Sequence, residues 1–327
     1  MKVAVYSYRA FDEGLYFEKI AKELGMELVL CPDAPDMENA ALAEGCDYLS
    51  VITTKIDAAL VERFHDLGVK MISTRTIGYD HIDLKKAKEL GVKISNATYS
   101  PNSVADYALM LMLMTTRRMK MIMNKAAIQD FSLPGNIGKE LPDMTVGIVG
   151  TGRIGETLIR HLSGFGCKIL AYDLYEKDSV KQFATYVPLD TLYRESDIIS
   201  LHIPASEKDY HMISGEVMDT MKDGVILINT ARGSLIDSQA LIDHIESGKI
   251  GAAGLDVVEN EFGMYYYDKK TDVMDNRELA ILKSFHNVVV TPHMAFYTNE
   301  AIRDMVYSSL KSCRLEADGE KNPWLIQ

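Results

Sequence analysis

Arg232, Glu261 and His293 each stand at or just past the end of a short apolar run: Arg232 follows VILINTA, Glu261 lies within DVVENEFG, and His293 follows VVVTP. If those runs are strands of an open parallel sheet, their carboxyl ends face a ligand crevice. A guanidinium offers a planar fork that grips a carboxylate through two parallel hydrogen bonds. An imidazole gives and takes a proton near neutral pH, and a carboxylate on its far nitrogen fixes the tautomer and favours the imidazolium. Together the three describe one reaction. Arginine holds the carboxylate of a 2-oxo acid while hydride arrives at C2 and imidazolium protonates the forming alkoxide; in reverse, neutral histidine removes the hydroxyl proton. The arginine also polarises the carbonyl, so positioning and charge stabilisation share the work. Taken singly, each has a plainer reading: a surface arginine, a helix-start histidine, one glutamate among many on an acidic chain.

A hydride needs a donor, and residues Thr145 to Asp173 (TVGIVGTGRIGETLIRHLSGFGCKILAYD) read as a site for one. A strand runs into Gly150-x-Gly152-x-x-Gly155, then a helix, a second strand and an acid, the pattern of a dinucleotide turn. Gly150 turns the chain off the strand, Gly152 admits a pyrophosphate, and Gly155 lets the helix pack on the sheet. Arg153 and Ile154 fill the same turn and open the helix, whose free amides and positive end suit phosphate. Asp173 can accept hydrogen bonds from both hydroxyls of an adenosine ribose and would repel a 2′-phosphate. Leu174, Tyr175 and Glu176 supply no arginine to reverse that, so the expected cofactor is NAD rather than NADP.

Short apolar runs alternate with amphipathic, helix-length segments throughout, which predicts an α/β chain with parallel sheets. Two series are present. The first comprises Val3 to Ser7, Leu28 to Cys31, Leu49 to Ile52, Met71 to Thr74 and Lys93 to Asn96, with helical spacing at Phe17 to Leu24 and Ala58 to Leu67. The second begins at Val146 and continues through Ile169 to Tyr172, Ile198 to His202, Val225 to Asn229, Ala252 to Val257 and Val288 to Thr291. Those six strands suit a complete dinucleotide fold. A single long helix is expected over Ser103 to Met123 between the series, and another over Thr298 to Ala317. The predicted division is 1–100 plus 299–327 as a substrate domain and 101–298 as the dinucleotide-binding domain, with a cleft between them for a small ligand.

A chain of 327 residues, 47% hydrophobic and 25% charged, has ample core for about two domains. Its net charge of −12, without a lysine–arginine block, argues against nucleic acid or an anionic membrane as partner. Cys31, Cys46, Cys167 and Cys313 show no paired spacing, so reduced thiols, a cytoplasmic compartment and no metal site are expected. The opening MKVAVYSYRAFDEG lacks the apolar run of a signal peptide. The most apolar stretch, ALMLMLM at 108–114, is preceded by Asp106 and followed by Arg117, Arg118 and Lys120, as a buried helix would be.

At GTGRIG (150–155), INTARGSLID (228–237), AAGLDVVENE (252–261) and VVVTPHMAFYT (288–298) the chain resembles the D-isomer-specific 2-hydroxyacid dehydrogenase family, nearly from end to end. STRTIGYDHID (73–83) and YSPNSVADY (99–107) are most similar to its D-lactate dehydrogenases, fermentative and vancomycin-resistance types. The resemblance implies a Rossmann NAD-binding domain beside a flavodoxin-like substrate domain, reduction of pyruvate to D-lactate, a cytoplasmic homodimer, and Arg232, Glu261 and His293 in the roles described. It further implies that Ile77 and Gly78 amides and the Tyr99 and Phe296 side chains contact substrate. His202, Pro204, Thr230 and Asp256 would surround the adenosine and nicotinamide, with Val104 near the ring.

Departures from the family pattern matter. Asp106 replaces a common glutamate and is given no catalytic role; the resistance enzymes lack the acid at Asp173; and Glu261 counts against formate dehydrogenases, which carry glutamine there. The run Met264 to Tyr267 reads as a loop packed on its own domain. Two alternatives stand: a dehydrogenase for bulkier acids (2-hydroxyisocaproate, phenyllactate, 2-hydroxyglutarate), and an NAD(H)-sensing corepressor-like binding protein. Lys55 is the one basic residue near Ile52-Thr53-Thr54, which disfavours a second substrate carboxylate.

Overall fold

The computed structural model describes residues 1–327 except Phe262, Tyr267 and Gln327. The chain divides into two compact units, Met1–Ser100 with Tyr297–Gln327, and Pro101–Phe296. The first unit opens with β1 (Lys2–Val5), α1 (Gly14–Leu24), β2 (Glu27–Leu30) and β3 (Tyr48–Val51). It continues through α2 (Ala58–Asp66), β4 (Met71–Thr74), α3 (Leu84–Leu90) and β5 (Lys93–Ser95). The second unit begins with α4 (Asn102–Thr116), α5 (Met119–Ala127), β6 (Thr145–Val149), α6 (Arg153–Ser163) and β7 (Lys168–Tyr172). Next come α7 (Asp178–Lys181), β8 (Thr185–Tyr186), α8 (Leu189–Glu195), β9 (Ile198–Leu201) and α9 (Gly215–Thr220). It closes with β10 (Val225–Asn229), α10 (Ser238–Glu246), β11 (Ile250–Leu255), α11 (Arg277–Ser284) and β12 (Val288–Val290). Helix α12 (Asn299–Asp318) then belongs to the first unit.

The first sheet is parallel in the order β2-β1-β3-β4-β5, the flavodoxin-like arrangement. Successive residues of β1 feed opposite faces: Val3 and Val5 pack with Phe17 and Val306, while Ala4 packs with Phe64 and Ile72. Burial on both faces is why these strands read as unbroken apolar runs. Helix α12 carries buried serines that close onto the sheet, Ser309 bonding Ser50 at 2.7 Å and Ser312 donating to Ser95 at 2.8 Å. Local chemistry sets the helix ends. Asp57 and Asp83 accept from the third amide beyond them at the starts of α2 and α3, and left-handed Gly25 and Gly91 terminate α1 and α3.

The second sheet is also parallel, in the order β12-β11-β10-β9-β6-β7-β8, so it has seven strands where the sequence pattern shows six. The added β8 is two residues long, too short to produce a run. Its parallel crossovers place helices on both faces, and α4 packs on α6 and β11. The expected helix over Ser103 to Met123 is two helices. Thr115 and Thr116 turn their hydroxyls back onto the carbonyls of Leu111 and Met112, and Arg118 then adopts a left-handed φ of 52°. The Lys139 amide caps the freed Thr116 carbonyl at 3.0 Å.

Candidate active site

Because β10, β11 and β12 are adjacent and parallel, the segments leaving their carboxyl ends are neighbours, and they carry Arg232, Glu261 and His293 respectively. His293 Nδ1 lies 2.6 Å from Glu261 Oε1, with the two side chains 21% and 14% exposed, so the pair is shielded yet reachable. Glu261 is itself fixed, its Oε2 accepting from the Val258 amide at 3.0 Å. Arg232 sits in a turn whose shape depends on Gly233, where a Cβ would overlap the Val258 carbonyl. The guanidinium Nη1 donates to the Ala231 carbonyl at 2.8 Å, and Asn229 Nδ2 donates to the Arg232 carbonyl at 2.8 Å.

His293 has a left-handed backbone, φ 54°, uncommon for a residue with a Cβ. Asp256 holds it there. The buried Asp256 carboxylate accepts from Thr291 Oγ1 at 2.6 Å and from the Met294 and Ala295 amides at 2.8 Å, while its carbonyl accepts from the His293 amide at 2.8 Å. Burial pushes the Asp256 carboxyl above its ordinary range, against the pull of those hydrogen bonds. The Tyr266 hydroxyl donates to the His293 carbonyl at 3.0 Å. The rings of Tyr266, His293 and Phe296 form a cluster with centroids 6.3–6.4 Å apart, which places Phe296 edge-on against the imidazole. Sequence reasoning missed the anchoring done by Asp256 and Tyr266; the tyrosine run was the available signal, and its Tyr267 lies outside the described residues.

The residues singled out for a dinucleotide gather at the carboxyl ends of five strands of this one sheet: Gly150 after β6, Asp173 after β7, His202 and Pro204 after β9, Thr230 after β10 and Asp256 after β11. Gly150 has φ +93°, and a Cβ there would lie 2.6 Å from the His202 carbonyl oxygen; a Cβ at Gly155 would overlap the Gly150 carbonyl. At Gly152, where Arg153 and Ile154 begin α6, a Cβ would meet nothing within 4 Å. Thr230 Oγ1 is buried without a partner among the described residues. An open turn beneath a helix and an orphaned hydroxyl fit a bound dinucleotide. Asp173 does more than face that turn: its Oδ2 accepts from the Thr151 amide at 2.6 Å and Oδ1 from the Tyr175 amide at 3.0 Å. Val104 is buried on the first turn of α4, and Asp106 on the same helix pairs with His161 at 3.1 Å.

His202 is bonded to Ser200 Oγ at 2.8 Å, and burial pushes its pKa down to about 4. Above the ordinary histidine value, ~6.5, it is neutral folded or unfolded and adds no pH dependence. Below that the unfolded chain takes up a proton that the folded chain refuses until about pH 4. Stability therefore falls with acidification across this window, by about 2 kcal/mol after allowance for the ring's partial exposure. Urea unfolding from pH 7 to 4 should show this slope reduced in His202→Asn; an identical slope in the variant would remove His202 as its source.

Ile77, Gly78 and Tyr99 belong to the first unit. There Thr76 Oγ1 donates to the Gly78 carbonyl at 2.6 Å and Asn96 Nδ2 to the Ile77 carbonyl at 2.8 Å, while the amides of residues 77 and 78 have no partner among the described residues. Tyr99 is half-buried.

Residues 109–295 match the family model described as D-isomer specific 2-hydroxyacid dehydrogenase, NAD binding domain. The chain is 42% identical over 313 residues to an aromatic 2-oxoacid reductase of Clostridium sporogenes, covering 95% of this chain and 94% of that protein. Its fold superposes on a D-lactate dehydrogenase of Treponema pallidum with TM-score 0.88 at 35% identity, covering all of both chains. A D-2-hydroxyisocaproate dehydrogenase gives the same TM-score and identity, covering 100% of this chain and 99% of that one.

Proposed function

The chain belongs to the D-isomer-specific 2-hydroxyacid dehydrogenase family, and from that premise we propose that it reduces a 2-oxo acid to the D-2-hydroxy acid with NADH, pyruvate to D-lactate foremost. The carrying observation is the 2.6 Å Glu261–His293 pair beside the Arg232 turn at three adjacent strand ends. Glu261 holds Nδ1, which leaves Nε2 to deliver a proton to the substrate oxygen. Arg232 grips the carboxylate and draws electron density from the carbonyl. NADH, when bound, supplies the hydride that forms the new bond at C2. By this reading Gly150, Gly152, Arg153, Ile154, Gly155, Asp173, His202, Pro204, Thr230, Asp256 and Val104 hold the cofactor, and the Ile77 and Gly78 amides, Tyr99 and Phe296 contact substrate.

The ring cluster of Tyr266, His293 and Phe296 narrows the space beside the imidazole, which favours a small acid. The likeness to an aromatic 2-oxoacid reductase favours a second reading, a bulkier side chain. One methylene discriminates by only about 1–3 kcal/mol. The test is kcat/KM for NADH-dependent reduction of pyruvate, 2-oxobutyrate, 2-oxoisocaproate, phenylpyruvate and 2-oxoglutarate, with the product enantiomer identified. Phenylpyruvate outrunning pyruvate would transfer the assignment to the second reading, and NADH binding without turnover of any acid would leave a binding protein.

Asp173 bonds both the glycine turn and the Tyr175 amide, so its replacement with alanine should loosen the turn as well as remove a ribose acceptor. Affinity for NADH should fall roughly tenfold, and the preference over NADPH should narrow. An unchanged ratio of the two KM values would refute the ribose role.

The homodimer is assigned to the segment after α5. Ile128, Phe131 and Leu133 are 78–85% exposed there, an apolar surface that a second copy would cover. Sedimentation should report two chains for the native protein and one for the Phe131→Ser, Leu133→Ser double variant. Two chains in both would move the interface elsewhere.

A further inference from the structure

At the amino-terminal ends of β10, β11 and β12, opposite the strand ends that carry the proposed catalytic residues, the second unit has a partly open pocket of about 200 Å³. Gly224 and Asn287, which lead into β10 and β12, and Gly251, the second residue of β11, form its floor, and the α4–α5 break with the return at Ile137 to Lys139 forms its wall. Arg118, Lys120, Lys139 and His286 line it, and no lining residue is acidic. In a chain of net charge −12 such a grouping is unexpected.

The cations are not neutralised by neighbours. Among the described residues no carboxylate pairs with Arg118, Lys120 or Lys139. Lys120 Nζ is fixed by the carbonyls of Lys283, Phe285 and Val288 at 2.6–2.8 Å, and burial together with nearby Lys283 disfavours its charged form. Asp197, which feels Lys139, is already engaged by the Thr145 amide at 2.8 Å and Lys222 at 2.9 Å. Arg118 uses one guanidinium nitrogen on the Gly135 carbonyl at 3.1 Å, which aims its fork without supplying countercharge. The space is smaller than the roughly 300–1,000 Å³ of pockets for drug-sized ligands, so its occupant is compact.

We propose that this pocket binds a small polyvalent oxyanion, phosphate or a short di- or tricarboxylate, distinct from the substrate. Charge-assisted bonds from the Arg118 fork and Lys139 would hold it. An occupant would lie against the first residues of the same strands whose last residues lead to Arg232, Glu261 and His293.

Calorimetric titration with inorganic phosphate, and separately with citrate, tests this without turnover. It is run at constant ionic strength on NADH-saturated protein, so that the glycine turn is filled. At least one probe should bind saturably, and Lys139→Ala and Arg118→Ala should each weaken it about tenfold. Arg232→Ala should leave the isotherm in place. Lys139 is exposed, so its variant is expected to fold, and circular dichroism checks this. The proposal is overturned if neither probe saturates, if both pocket variants stay within about twofold of the parent, or if Arg232→Ala abolishes binding.

Discussion

His293→Ala should lower kcat for 2-oxo acid reduction by roughly 10²–10⁴, the usual weight of a positioned proton donor, while leaving NADH affinity intact. In the proposed mechanism the imidazole is that donor, with Nδ1 committed to Glu261 at 2.6 Å. Histidine already bears the strain of φ 54°, of order 1–2 kcal/mol, and alanine retains it. His293→Asn relieves part of that strain, because asparagine tolerates the left-handed conformation, yet it cannot act as a proton donor of matched acidity. Both variants should be equally slow, with asparagine the more stable of the two. Activity within tenfold of the parent in either would remove His293 as the acid.

Arg232→Ala should cost roughly 10³ in kcat/KM. Two charge-assisted hydrogen bonds, each worth about 1.5–3 kcal/mol, disappear with the fork. Arg232→Lys keeps the charge but not the planar pair of donors, and should recover only part of the loss. Both parameters should worsen, since the same group binds the carboxylate and polarises the carbonyl in the transition state. A lysine variant with parental kcat/KM would show that the fork is not used.

The strands were legible because parallel sheets covered on both faces leave unbroken apolar runs such as VILIN and VVV. The glycine turn was legible because close approach at Gly150 and Gly155 admits no side chain. Strand β8 was not, since two residues have no periodicity, nor was the break at Arg118, where threonine hydroxyls compete for helix carbonyls. The proposed catalytic trio could be nominated from strand ends, but which strand ends are neighbours depends on strand order, which no local pattern encodes. Asp256 illustrates the remainder. The family resemblance places it by the cofactor, and its buried carboxylate also accepts from the chain that shapes His293. That duty depends on contacts with residues 35 to 39 positions away, invisible to any short window.

His293 is delivered by β12, a three-residue strand at the margin of the second sheet, paired on one side only. Marginal strands open at lower free energy than the central ones that carry the glycine turn. Fraying there would withdraw the proton donor while the rest of the sheet stays folded. On the proposed roles, catalytic competence is thus a local property of the sheet's border, and mild warming or dilute denaturant should reduce turnover before the molecule as a whole unfolds.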